Sequence, residues 1–98
     1  MENSTINKEL MELVRKAAET LKSFGATDVY IFGSAVNGEF GEYSDIDLAV
    51  SGLPPEKFFK AMGKAEDILK MEIDLVDLDE KNPFVEYLTS HGDLVRVA

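Results

Sequence analysis

Apolar side chains recur at Ile6, Leu10, Leu13, Val14, Ala17, Leu21 and Phe24, a helical spacing that predicts a helix over residues 5–24, with Gly25 placed to stop it. Residues 28–32 (Asp-Val-Tyr-Ile-Phe) are β-branched or aromatic almost throughout and predict a strand. A second strand is expected at 45–50 (Asp-Ile-Asp-Leu-Ala-Val), and a third at 72–78 (Glu-Ile-Asp-Leu-Val-Asp-Leu). Between them, Pro54 and Pro55 suit the first turn of a helix running to about Lys70, with apolar positions Phe58, Met62, Ala65, Ile68 and Leu69. Asn82-Pro83 reads as an N-cap followed by proline at the first helical position, and Gly92 reads as that helix's stop. Residues 94–97 are short enough for a final strand only. The order helix, strand, strand, helix, strand, helix, strand predicts an α/β (α+β) fold: a small mixed sheet of three to four strands covered by helices.

The 98 residues allow one domain and one small core. With 45% hydrophobic and 30% charged residues, the chain reads as a soluble globular domain, residues 1–98 forming a single unit. It has no cysteine, which excludes disulfides and thiolate metal sites and makes the cytoplasm the natural setting. No apolar run approaches the roughly 18 residues that span a bilayer, so no membrane association is expected. The net charge of −9 disfavours a long nucleic acid, whose phosphates are usually met by Lys and Arg. Acid excess suits a site that holds divalent cations, although solubility alone accounts for it more simply.

Three features carry candidate chemistry. Gly33-Ser34 follows an apolar strand directly. Glycine permits a tight turn and close approach of a phosphate, and a helical turn starting at Ser34 would aim its free N–H groups and hydroxyl at the same anion. Alone, the pair is an ordinary turn. Asp45 and Asp47 are two apart in a strand, so their carboxylates share a face and repel one another unless a cation lies between them. Hard oxygen ligands of this kind suit Mg²⁺, which completes its shell with water and substrate phosphates. An acidic edge strand facing solvent fits that pair equally well when it stands alone. The third feature is Asp74, expected deep in the apolar run between Ile73 and Leu75, where an unpaired carboxylate would be costly. Asp77 points to the opposite face and, near the strand end, reads as solvated or capping. A third carboxylate beside the first two makes a site for two metal ions.

Phe32-Gly33-Ser34-Ala35-Val36-Asn37-Gly38 and Ser44-Asp45-Ile46-Asp47-Leu48-Ala49-Val50, with the later strand aspartate, closely resemble the signature of the minimal nucleotidyltransferase branch of the DNA polymerase beta-type nucleotidyltransferase superfamily. At ordinary residue usage, this Gly-Ser and Asp-x-Asp spacing arises by chance in roughly one chain of this length in a thousand. The resemblance covers nearly the whole chain. It implies that Gly33, Ser34 and nearby backbone bind the β- and γ-phosphates of ATP, with Asn37 available as a donor. Asp45 and Asp47 would ligate both Mg²⁺ ions, and Asp74 would ligate the catalytic ion and help deprotonate the acceptor. It further implies a frequent partner, a small helical HEPN-domain ribonuclease toxin, which the minimal nucleotidyltransferase neutralises as antitoxin by transferring AMP to a tyrosine.

The chain departs from the family pattern at Ala35, Val36 and Asn37, where many members carry Arg or Lys. That departure favours a second reading, a binding module that neutralises its partner without turnover. A third is nucleotidyl transfer to a small molecule or nucleic acid held by a separate subunit. His91, the only histidine, is expected at a helix end in a capping or surface role. Glu66 and Asp67 read as a solvated helix face, and so do Lys57, Lys60 and Lys64. No Gly-rich loop ending in Lys-Ser or Lys-Thr is present, which argues against a P-loop ATPase.

Overall fold

The computed structural model describes residues 8–32, 46–91 and 94–98. Its elements are α1 (Lys8–Ser23), β1 (Asp28–Phe32), β2 (Ile46–Ser51), α2 (Pro55–Leu69), β3 (Ile73–Asp77), α3 (Pro83–His91) and β4 (Val95–Arg96). They form a four-stranded sheet in the order β3-β2-β1-β4. β1 is antiparallel to β2 and to β4, whereas β2 and β3 run parallel. A parallel pair needs a crossover, and α2 supplies it. The mixed α/β layer architecture is therefore the one expected, and each described element falls within two to three residues of its predicted span.

Alternation along the strands decides which face each residue joins. Val29 and Ile31 of β1, Ile46, Leu48 and Val50 of β2, and Ile73 of β3 are buried on one face. There they meet Val14, Ala17, Ala18 and Leu21 of α1 and Ala61, Ala65 and Leu69 of α2. Each large aliphatic side chain removed from water contributes about 2 kcal/mol. Alanine at 17, 18, 61 and 65 lets the two helices and the sheet approach closely, and all four are fully buried. On the opposite face a smaller cluster joins Phe32 and Ala49 to Leu88 of α3, with Tyr30, Val76, Leu78 and Leu94 packed around it.

The element ends follow local chemistry. Gly25 takes φ 124°, which favours glycine, and its N–H donates to the carbonyl of Lys22 at 2.9 Å, closing α1. Pro55 opens α2, and Lys70 closes it in the left-handed conformation with its N–H on the Glu66 carbonyl at 2.7 Å. Asn82 caps α3 as predicted, its Oδ1 accepting the Val85 N–H at 2.9 Å. Gly92 lies outside the described residues, as do Ile6, Phe40 and Tyr43. One expectation fails: Glu66 is not merely solvated, because its carboxylate accepts the Ile73 N–H at 3.1 Å. Helical periodicity cannot reveal a contact to the next strand. No helix among the described residues is long and apolar enough to cross a membrane.

The turn after β2 is held by Gly52, whose N–H donates to Asp79 Oδ2 at 2.7 Å. Gly52 has φ +82°, and a Cβ there would collide with the Thr27 hydroxyl. Gly52→Ala should therefore lower unfolding free energy by about 1–3 kcal/mol. Lys70→Gly, which relieves a non-glycine residue held in the left-handed region (φ 59°), should raise it or leave it level. Urea denaturation of the two variants checks both signs.

Candidate active site

The register of three strands assembles the described part of the site. Phe32 of β1 is the antiparallel partner of Asp47 in β2, and Asp47 is the parallel partner of Asp74 in β3. Residues directly opposite in a ladder share a face. Phe32, Asp47 and Asp74 therefore stand abreast on the α3 side of the sheet, one strand apart at about 4.8 Å spacing. Along β2 the burial pattern leaves only Asp47 and Ser51 less than fully buried. Asp47 is half-buried, between Phe32 and the open edge.

Asp74 differs from its expected setting. It is exposed, not deep in an apolar run. The reason is topological: β3 is the edge strand, and α3 covers the sheet through Leu88 over Phe32 and Ala49, leaving the start of β3 open. The Asp47–Asp74 pair thus keeps access to water, and two neighbouring carboxylates are tolerated there at modest cost. Asp77 behaves as anticipated: it points to the other face, and its Oδ1 accepts the Asp79 N–H at 2.9 Å, shaping the turn after β3.

Gly33, Ser34, Asn37 and Asp45 lie outside the described residues. Among the described residues, no group of three or more His, Cys, Asp or Glu side chains is placed to hold a metal ion. The donor chemistry still fits one. Two carboxylates from adjacent strands, in register, one exposed and one half-buried, offer the hard oxygen ligands that Mg²⁺ takes while keeping water and phosphate in its remaining positions.

Aromatic side chains border this patch. The ring of Phe84, in the first turn of α3, lies 6.4 Å from that of Phe32 at 59°. Tyr87 and His91 stack one turn apart, with centroids 4.3 Å apart, on the exposed side of α3. His91 Nδ1 lies 3.1 Å from the Tyr87 carbonyl, a helix-end contact of the kind its position predicts. Sequence reasoning passed over Phe84. Its partner Phe32 is some fifty residues away and becomes a neighbour only in the folded sheet, so no local signal marks the contact.

The sheet thus carries helices on both faces, with Asp47 of β2 and Asp74 of the edge strand β3 in register. The sequence profile of the polymerase beta nucleotidyltransferase family matches residues 15–96. The chain belongs to this family and is a nucleotidyltransferase. Two proteins of Methanocaldococcus jannaschii, both named as candidate protein adenylyltransferases, are similar to it. One is 38% identical over 72 residues, covering 69% of this chain and 84% of the relative. The other is 30% identical over 83 residues, covering 80% and 85%. Among solved structures, a candidate minimal nucleotidyltransferase matches with a TM-score of 0.72 at 25% identity, over 95% of this chain and 98% of that one. A toxin–antitoxin complex with AMP-PNP shares the fold at a TM-score of 0.70 and 22% identity, over 90% of this chain and 72% of that one. So does the complex of a tri-AMPylated Shewanella oneidensis HEPN toxin with its minimal nucleotidyltransferase antitoxin, with a TM-score of 0.64 and 22% identity, over 91% and 71%.

Because Asp74 is exposed, its carboxylate should not be needed for folding. Asp74→Asn should stay folded, with stability unchanged or raised by up to about 0.5 kcal/mol as its repulsion with Asp47 falls. Thermal and urea unfolding without metal checks this. Loss of the folded state in that variant would show that the residue is structural.

Proposed function

We propose that this chain uses divalent metal to transfer AMP from ATP to a tyrosine hydroxyl of a helical HEPN-domain ribonuclease, acting as that toxin's antitoxin in the cytoplasm. The observation that carries the reading is the alignment of Asp47 with Asp74 across the parallel pair. Family membership supplies the reaction type, and the relatives named for protein adenylyltransfer support a protein acceptor.

Asp45, Asp47 and Asp74 would hold two Mg²⁺ ions, which when bound neutralise the triphosphate and acidify the acceptor hydroxyl. Gly33 and Ser34 would bind the β- and γ-phosphates through backbone N–H groups and the hydroxyl, with Asn37 donating a further hydrogen bond. The tyrosine oxygen attacks the α-phosphorus of ATP. A new P–O bond forms, the bond to the bridging oxygen breaks, and pyrophosphate leaves. The tyrosine proton passes toward the Asp74 carboxylate, whose exposure leaves room for an acceptor side chain. No protein atom becomes covalently attached. Positioning and charge neutralisation perform the catalysis.

A second reading is neutralisation by binding alone. It is favoured by the uncharged Ala35-Val36-Asn37 segment, where no cation stands ready to meet the triphosphate. One experiment separates the two. A substoichiometric amount of the protein is mixed with the HEPN partner, ATP and Mg²⁺, and the partner's intact mass is read. Catalysis adds one or more increments of about 329 Da, the mass of ATP less pyrophosphate, to many partner molecules per enzyme. Asp45→Asn/Asp47→Asn should lower that turnover about a thousandfold. An unmodified partner, inhibited equally by wild type and by the double variant, overturns the catalytic reading.

The same carboxylates predict linked binding. Isothermal titration should show Mg²⁺ or Mn²⁺ binding at least tenfold more tightly with ATP present, because the triphosphate completes the ligand shell. Equal, weak metal binding by wild type and Asp45→Asn/Asp47→Asn would rule out the site.

A further inference from the structure

Beyond the two aspartates, β3 carries a second surface. It is the outermost strand of the sheet. Leu78 N–H donates to the Val50 carbonyl at 2.8 Å. In a parallel ladder successive residues alternate sides, so Asp74 and Val76 also turn their amide groups toward β2, while Ile73, Leu75 and Asp77 turn theirs outward. The Ile73 N–H confirms this alternation, since Glu66 takes it from the outer side. The Asp77 carbonyl is taken by the Glu80 N–H at 3.2 Å. Among the described residues, the Leu75 N–H and carbonyl and the Asp77 N–H remain on the open edge.

A groove of about 480 Å³ lies along this stretch, between the start of α2 and the start of α3. Phe58 and Phe59 form one wall and Phe84 the other, with Leu75 at the base. Phe59 is 74% exposed and Phe84 52%. Adjacent aromatics on a helix cannot both face the core, so the Phe58-Phe59 pair commits one ring to the surface. The charged side chains that line the groove, Asp77 and Glu80, are both acidic.

We propose that this edge binds an extended segment of a partner protein, added to the sheet as a strand beside β3, with apolar side chains seated between Phe59 and Phe84 and basic ones against Asp77 and Glu80. Strand addition combines backbone hydrogen bonds for affinity with pockets for alternate side chains for selectivity. The apolar walls and acidic rim select a segment that alternates apolar and basic residues. A second copy of this chain is disfavoured, because each carries a net charge of −9 and a two-fold pairing would set Asp77 and Glu80 against their own kind. The groove also lies next to Asp74. Three residues of strand separate Asp74 from Asp77, about 10 Å. A segment paired with Leu75 and Asp77 therefore runs on past Asp74 and can deliver an acceptor side chain on its face. This last step rests on the transfer reading above, whereas the docking itself does not.

The test uses synthetic peptides of about ten residues alternating Val or Tyr with Lys or Arg, and matched peptides with Glu in place of each basic residue. Amide exchange of the protein is followed by NMR without nucleotide. The basic peptides should slow exchange at Leu75 and Asp77 at least tenfold and leave Ile73 unchanged. Phe59→Ala and Glu80→Lys, both at exposed positions, should each weaken binding about fivefold or more while leaving the protein folded. No protection with about 1 mM peptide, equal binding of the acidic peptides, or protection that tracks self-association of the protein alone would each overturn the proposal. The two readings fail separately. Peptide docking without AMP transfer to any partner sinks the transfer reading and leaves the groove. Transfer to the HEPN partner at an unchanged KM in Phe59→Ala and Glu80→Lys sinks the delivery of the acceptor through the groove and leaves transfer.

Discussion

The register of β2 against β3 is the constraint on which the described site depends. Nothing in the aspartates themselves brings Asp47 beside Asp74. The alignment comes from the aliphatic residues around them: Ile46, Leu48 and Val50 in one strand and Ile73 and Leu75 in the other must all lie toward α1 and α2. A slip of one residue would turn Asp74 into that core and expose its neighbours, at a cost of several buried side chains. The crossover helix enforces the same answer, since Ala61, Ala65 and Leu69 fit the sheet only when β3 lies where it does. Packing on one face thus fixes chemistry on the other.

The arrangement also separates stability from charge. The described core contains no buried polar or charged side chain. Asp74 stands exposed on the edge strand with Asp47 half-buried beside it, and near β3 the carboxylates of Glu66 and Asp77 accept the N–H groups of Ile73 and Asp79. A fold built this way draws its stability from aliphatic contacts rather than from charge. The acidic surface adds to that independence: it costs little in a fold held by aliphatic contacts, and it disfavours contact with other anions in general.

Most of the fold was legible because hydrophobic periodicity and local signals agreed. The Asn82-Pro83 start, the Pro54-Pro55 start and the Gly25 stop each correspond to an observed cap or conformation. The parity of Asp74 and Asp77 was readable from spacing alone. What could not be read was the order of strands across the sheet. That order makes β3 an edge, and it converts Asp74 from an expected interior residue into an exposed one. Glu66 was misjudged for the same reason: its partner, Ile73, is seven residues on and becomes a neighbour only after the chain folds back. The groove between Phe59 and Phe84 is likewise tertiary, its walls coming from two helices on opposite faces of the sheet.

The last strand has a consequence for the order in which the protein can be made. β4 pairs with β1, and the residues after it close the same edge: the Val97 N–H donates to the Val29 carbonyl at 2.9 Å, and the Val29 N–H to the Ala98 carbonyl at 3.1 Å. Arg96 adds an ion pair to Asp28 at 2.7 Å. On a ribosome, β1 emerges roughly 65 residues before its partner, about three to thirteen seconds at ordinary elongation rates. Throughout that interval the nascent chain can pair β1 with β2 and still present a bare, aliphatic strand on its far side. The sheet is therefore sealed at that edge only once residues 95–98 have been made, and the window before sealing is when the fold is most open to mispairing with a neighbouring nascent chain.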